Sequence, residues 1–216
     1  MNAPVTDAAL DGLDDLLRAR AADLVRAGRR LYQRGWVPAT SGNFSARLDG
    51  RRIAITVSGA HKGELDLQHI MVVDTRGRAL QDKRPSAETL LHSMLYARFP
   101  EVGAVLHVHS VNATLLSRMV SGALVLEGYE LLKALRGIET HDTAVRLPIF
   151  ANDQNIPRLA AAVERALDQD DRFPAYLIAG HGMYAWGESL EETMHHLEAL
   201  DFLLECELRM HGVGNR

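Results

Sequence analysis

The stretch Gly103–Asn112 reads GAVLHVHSVN and places two histidines, His107 and His109, inside a run of strand-forming apolar residues. Side chains of a strand alternate faces, so His107 and His109 project together from one side and Leu106 and Val108 from the other. An imidazole taken out of water costs free energy unless its nitrogens are occupied. Either each ring bonds a backbone carbonyl, or the pair holds one divalent ion at the strand end. A single ion accounts for both rings, which favours the metal. Zinc needs at least a third protein ligand.

One other histidine of the ten has a comparable setting. His181 follows the apolar run AYLIA directly and is flanked by Gly180 and Gly182, residues that let a backbone turn sharply and approach a neighbour closely. A turn histidine with purely conformational glycines is the alternative. His195 and His196 fall on a helical pattern near acidic residues, His211 in the tail and His61 in a Gly/Lys loop, while His92 and His141 have no informative context. A set of His107, His109 and His181 would be neutral with an open position, as catalytic zinc requires.

The remaining pattern mixes strands and helices along the whole length. Leu10, Leu13, Leu17, Leu24 and Leu31 predict a helix ending at Gly35, and RIAITV (52–57) and Ile70–Val73 predict strands. A helix is expected after Pro85 with Ser86 as its N-cap, another from about Val111, and a third over Glu127–Leu135. Val145–Phe150 reads as extended, Asn155-Ile156-Pro157 as a helix start, and Ala175–Ala179 as a strand. Ser189-x-x-Glu192 is a capping box launching a last helix. With 216 residues, 47% of them hydrophobic, and no linker or repeat, a single domain over 1–216 of class α/β or α+β is expected.

Charge excludes one class of partner. The net charge is −4, and the arginines scatter along the first helical stripe, so no nucleic-acid footprint is present. No apolar run is long enough to cross a membrane and no leader pattern opens the chain. The single cysteine, Cys206, fits a reducing compartment, so a soluble cytoplasmic protein is the expectation.

Two loops, ATSGNFS (39–45) and VSGAHKG (57–63), offer hydroxyls, glycine N–H groups and Lys62. Such loops can wrap a phosphate, and Ser86 at a helix N-terminus is a further contact. Such clusters are also ordinary turns. No Walker-type or dinucleotide fingerprint occurs, which points to a small monophosphorylated substrate.

The motifs SGNFS, SGAHKG, PSAETLLH, HVHS and AGHGMYAWG, in this order, resemble the class II aldolase/adducin family from about Leu16 to about Met210. The resemblance implies a three-layer sandwich, a central and mostly antiparallel sheet covered by helices on both sides. It also implies a homotetramer with sites near subunit boundaries and one zinc ion per subunit on His107, His109 and His181. By the same resemblance Ser41, Gly42, Asn43, Ser58, Gly59 and Ser86 receive a substrate phosphate, with Lys62 in the matching loop.

The family divides by chemistry, and the carboxylates mark the branches. The aldolases' acid/base glutamate lies in a PSSE-like motif, which here is PSAE with Glu88. The dehydratases' glutamate lies after the histidine strand, where Glu130 in LEGYELLKAL matches and Glu127 is its neighbour. The Glu130 segment and the ending HGMYAWG, with Tyr184 and Trp186, favour the dehydratase branch, which removes water from 5-methylthioribulose 1-phosphate in methionine salvage. A sugar-phosphate aldolase of the fuculose or rhamnulose type is the alternative. A non-catalytic adducin-head module is the third reading, and an intact triad argues against it.

Overall fold

The histidine strand lies near the middle of a sheet of eight strands. The structure, a computed structural model, describes residues 7–170 and 172–213; the side chains of Leu10 and Leu13 lie outside the described residues. The strands are β1 (Asn43–Arg47), β2 (Arg52–Thr56), β3 (Ile70–Asp74), β4 (Ala104–Val108), β5 (Ala123–Glu127), β6 (Ala144–Phe150), β7 (Ala175–Ile178) and β8 (Gly182–Gly187). Their spatial order is β3-β2-β1-β4-β8-β7-β6-β5. Every neighbouring pair is antiparallel except β6 and β7.

Helices cover both faces, which is why the central strands read as continuous apolar runs rather than alternating ones. One face, carrying Leu106, Val108, Met183 and Ala185, packs under α1 (Asp7–Gln33), α3 (Val111–Met119) and α5 (Leu190–Val213). The opposite face, carrying Val105, Ile55, Tyr184 and Trp186, packs under α2 (Thr89–Arg98) and α4 (Ile156–Gln169). These are the three layers that the resemblance implied. Leu24, Leu31, Leu197 and Leu200 are fully buried, each burial contributing about 2 kcal/mol. Among the described residues no helix is long and apolar enough to cross a membrane.

Three local expectations are corrected. Glu127–Leu135 is not one helix: Leu124 and Leu126 are buried between exposed Val125 and Glu127 in β5, and a short 3-10 turn follows over Glu130–Ala134. Gly128, with φ of +73°, breaks the two apart. The apolar alternation belongs to a strand whose period was hidden by helix-forming leucines. Ser86 is not the N-cap of α2; Glu88 occupies that position without capping, its carboxylate being used elsewhere. In the Ser189 box the serine Oγ accepts from the Glu192 N–H at 3.1 Å, but Glu192 reaches back to the N–H of Glu188, at 2.6 Å, rather than to that of Ser189.

Strand β8 must lie close against β4. A Cβ on Gly182 would stand 2.1 Å from the Val108 carbonyl oxygen and 3.2 Å from the His107 ring. Gly182→Ala is therefore expected to destabilise the fold by about 3 kcal/mol, read as a lower midpoint in urea unfolding. An unchanged midpoint would show that the two strands can part without cost.

Candidate active site

His107 sits on β4 and is fully buried, His109 follows just beyond the strand, and His181 stands in the β7–β8 turn. Antiparallel pairing of β4 with β8 sets His107 opposite Tyr184. The turn is made by Gly180 at φ of +64°, and the Thr114 hydroxyl donates to the His181 carbonyl at 3.2 Å. The three side chains the sequence proposed thus converge. The Nε2 atoms of His107 and His109 lie 2.9 Å apart, and those of His107 and His181 3.3 Å apart.

The geometry fixes the form of the central ring. His107 Nδ1–H donates to the Met183 carbonyl at 3.0 Å, leaving the Nε2 lone pair aimed at its partners. Tyr184 stacks on that ring at 4.1 Å between centroids and 13° between planes. Burial pushes His107 down to about 4, against the pull of Glu88, and pushes His109 down to about 3 with the help of His107. Neutral imidazoles are what a metal needs. Metal–nitrogen bonds of about 2.0–2.1 Å in a tetrahedron place nitrogens about 3.3 Å apart, so the described set fits a divalent ion.

The carboxylate beside the triad is Glu88, with a side chain only 12% exposed. Its Oε2 accepts from Asn43 Nδ2 at 2.8 Å and from the Tyr184 hydroxyl at 2.9 Å, and lies 3.3 Å from His107 Nε2. Oε1 is 3.6 Å from His181 Nε2. Burial alone would raise Glu88, but His107 and the Asn43 amide outweigh it and hold the carboxyl well below the usual carboxylate range. Glu130 is elsewhere. Its side chain is 71% exposed, paired with Lys133 and 3.5 Å from His141. Glu127 is exposed at the end of β5. Within one copy neither joins the triad.

The phosphate-type loops do meet the histidines. A cavity of about 280 Å³ is lined by Ser41, Gly42, Ser58, Gly59, Lys62 and Ser86, with Glu88, His109 and His181 at its border. A Cβ on Gly42 would lie 2.8 Å from the His107 carbonyl oxygen, and φ there is +75°, so this loop hugs β4 only as glycine. Ser41 Oγ is buried with no hydrogen-bond partner among the described residues, an orphan that a polar ligand would satisfy. Lys62 is 2% exposed and donates to the carbonyls of Ala60 at 2.6 Å and Thr40 at 3.0 Å; burial pushes it down to about 8. Asn43 also lines the cavity, but its amide is committed to Glu88 and His92.

Two groups were not readable in advance. Asn152 and Gln154 reach the cavity from the loop before α4, and no motif marks them. His92 is buried beneath Glu88, and the only signal was its place four residues on, on the same helix face.

Zinc added to metal-stripped protein is expected to raise the melting temperature. At a hundredfold excess over Kd the linkage is worth about 2.7 kcal/mol. His107→Ala should abolish that rise and the binding isotherm together; an unaltered isotherm would place the metal elsewhere.

The comparisons with known proteins agree with this architecture. The sequence pattern of the Class II Aldolase and Adducin N-terminal domain matches residues 22–208. The methylthioribulose-1-phosphate dehydratase of Methylococcus capsulatus is 59% identical over 93% of this chain and 98% of its own. That of Pseudomonas aeruginosa strain PAO1 is 53% identical over 87% and 92%. Among solved structures, L-fuculose-1-phosphate aldolase from Thermus thermophilus superposes with a TM-score of 0.73 at 26% identity, covering 92% of this chain and 99% of its own. YgbL from Klebsiella pneumoniae gives 0.76 at 27%, covering 93% and 92%. With a histidine triad gathered at the middle of a mostly antiparallel sheet and a pattern match over nearly its whole length, the chain belongs to the class II aldolase and adducin N-terminal domain family.

Proposed function

We propose that this protein is a zinc-dependent hydro-lyase that converts 5-methylthioribulose 1-phosphate to 5-methylthio-2,3-dioxopentyl phosphate and water, as a cytoplasmic homotetramer in methionine salvage. The observation that carries the reading is near full-length identity above one half to dehydratases of that substrate, joined to a triad and phosphate-type loops around one cavity.

His107, His109 and His181 would hold the metal. When bound, the ion supplies a Lewis acid that polarises the substrate carbonyl at C2 and so acidifies the C3 proton. The substrate phosphate would lie among Ser41, Gly42, Ser58, Gly59 and Ser86, where hydroxyls and backbone N–H groups are available and Lys62 adds positive charge. Glu88, ionised and beside the triad, is placed to take the C3 proton. The C4 hydroxyl then departs as water once it is protonated, and the enol left behind ketonises to the 2,3-diketone. Glu130 would serve a neighbouring copy's site across a subunit boundary, relaying to that leaving hydroxyl the proton that Glu88 has drawn from C3. Beyond His109 and His181 a second cavity, bordered by Pro38, Val111 and Leu115, offers apolar surface for the methylthio end.

A second reading, a sugar-phosphate aldolase, is favoured by one observation: the carboxylate at the triad is the PSAE glutamate, Glu88. The same C3–C4 portion of substrate would then break between carbons instead of losing hydroxyl. Product analysis by NMR decides between them. Zinc-loaded protein should give the diketone phosphate from 5-methylthioribulose 1-phosphate and no dihydroxyacetone phosphate from fuculose 1-phosphate; the reverse pattern overturns the dehydratase.

The two carboxylates are tested apart. Glu88→Gln and Glu130→Gln should each retain zinc and lower turnover about a hundredfold. Mixed assemblies of the two variants should regain activity, because some sites then combine an intact Glu88 with a neighbour's intact Glu130. Near-normal turnover of Glu130→Gln would remove it from the mechanism.

A further inference from the structure

Glu88 is the visible end of a buried polar ladder between β1 and α2. Asn43 and Ser45 point from the same face of β1, two residues apart. Facing them, Glu88, His92 and Tyr96 succeed one another at four-residue intervals along α2. Four helical residues rise about 6.0 Å and two strand residues about 6.6 Å, so the rungs stay in step. The members between Glu88 and the protein interior are nearly sealed: Asn43 is 5% exposed, Ser45 0%, His92 0% and Tyr96 2%.

Each donor and acceptor along the ladder follows from the one before it. A carboxylate only accepts hydrogen bonds, so the amide nitrogen of Asn43 must face Glu88, as it does at 2.8 Å. The Asn43 oxygen then faces inward and meets His92 Nε2, which must carry the hydrogen. Burial pushes His92 down to about 3, so the ring is neutral and its Nδ1 bears a lone pair. Ser45 Oγ, at 2.7 Å, donates to that nitrogen, and the Tyr96 hydroxyl, at 2.9 Å, donates to Ser45. Tyr184 donates to Glu88 from the other side. All the hydrogens point one way.

From this ladder we infer that His92 is a positioning residue for the reaction, the central link of a one-way hydrogen-bond chain Tyr96–Ser45–His92–Asn43 that holds the Glu88 carboxylate oriented at the triad. The inference rests on the proposed role of Glu88, not on which product is made. A neutral buried histidine with both nitrogens used costs little and fixes the amide in one orientation. Without the His92 donor the Asn43 amide can flip, presenting oxygen to the carboxylate and repelling it. The ladder also anchors α2 beyond Tyr96: Arg47, two residues after Ser45, donates to the carbonyls of Tyr96 at 2.9 Å and Phe99 at 3.0 Å.

Two variants of similar size separate positioning from packing. The amide nitrogen of His92→Gln reaches the place of Nε2 and can still donate to Asn43, whereas His92→Asn stops near Nδ1. With zinc-loaded enzyme, Gln should keep kcat within about threefold of wild type. Asn should lose about tenfold to a hundredfold, the range seen when supporting hydrogen bonds are removed. KM and zinc content should stay unchanged in both. Equal kcat losses, or a loss that follows zinc content, would reduce His92 to a packing role. Should either variant fail to fold, Tyr96→Phe, which removes only the last hydroxyl, should lower kcat modestly with KM intact. The ring itself gives a reading independent of turnover. Nitrogen-15 NMR of histidine-labelled enzyme, with His92 assigned from the spectrum of His92→Gln, should show a neutral Nε2–H tautomer. An Nδ1–H tautomer or an imidazolium would overturn the chain's direction. If wild-type enzyme forms no diketone yet shows that tautomer, the proposed reaction fails and the ladder stands.

Discussion

Burying His107 in the centre of the sheet is the constraint around which the site is built. A fully buried imidazole must have both nitrogens engaged. The Met183 carbonyl takes one, and it can do so only because β8 runs antiparallel beside β4. The other is then left as a lone pair, with His109, His181 and Glu88 gathered round it. Glycine at 182 follows from the same demand, because any side chain there would meet the Val108 carbonyl and the His107 ring. The stack of Tyr184 on His107 and of Tyr176 on Tyr184 closes the face beneath.

That demand also explains what could be read in advance. The apolar register of β4 exposed the two histidines as an anomaly, and the glycines around His181 marked a third. The mixed α/β class, the α4 start at Asn155 and the Val111 start, capped by Ser110, follow local rules of period and capping, whereas the three layers came from the resemblance. Local rules failed where a residue's partner is distant in sequence. Ser86 looked like a cap, yet Glu88 occupies the N-cap position of α2, its carboxylate drawn to Asn43 and Tyr184, which lie 45 and 96 residues away. His92 had no visible context because its context is β1. Asn43, which the resemblance matches to a phosphate position, lines the cavity and also bonds Glu88 and His92, partners that no local pattern announces.

The two glutamates show the limit of pattern from the other side. The sequence keeps both Glu88 and Glu130, each in a motif of one branch, and its Glu130 segment favours the dehydratase. In the fold they differ in every physical respect. Glu88 is enclosed, hydrogen-bonded twice and adjacent to two imidazoles, His107 and His181; Glu130 stands on a surface turn beside Lys133. Lys133 and then His141 hold the Glu130 carboxyl below its ordinary value, as suits a solvated ion pair. A carboxylate of that kind gains catalytic force only when another surface covers it, removes water and exchanges its partner.

A shared scaffold therefore divides its labour. The triad and the phosphate-type loops lie within one chain, on and beside β1, β2, β4 and β8, and they suit reactions in which negative charge develops beside a polarised carbonyl. Expulsion of hydroxyl follows loss of the C3 proton and needs a proton added to the C4 oxygen. Rupture of the C3–C4 bond leaves the C3 proton in place and needs the C4 hydroxyl to lose its own, so the outcome depends on which substrate hydrogen the base reaches. That choice belongs to groups at the open side of the cavity. The ladder behind Glu88 orients the base in either outcome, so its geometry belongs to the scaffold. The substrate-facing rim, where Pro38, Val111 and Leu115 meet His109 and His181, is where this chain has room to select its own reaction.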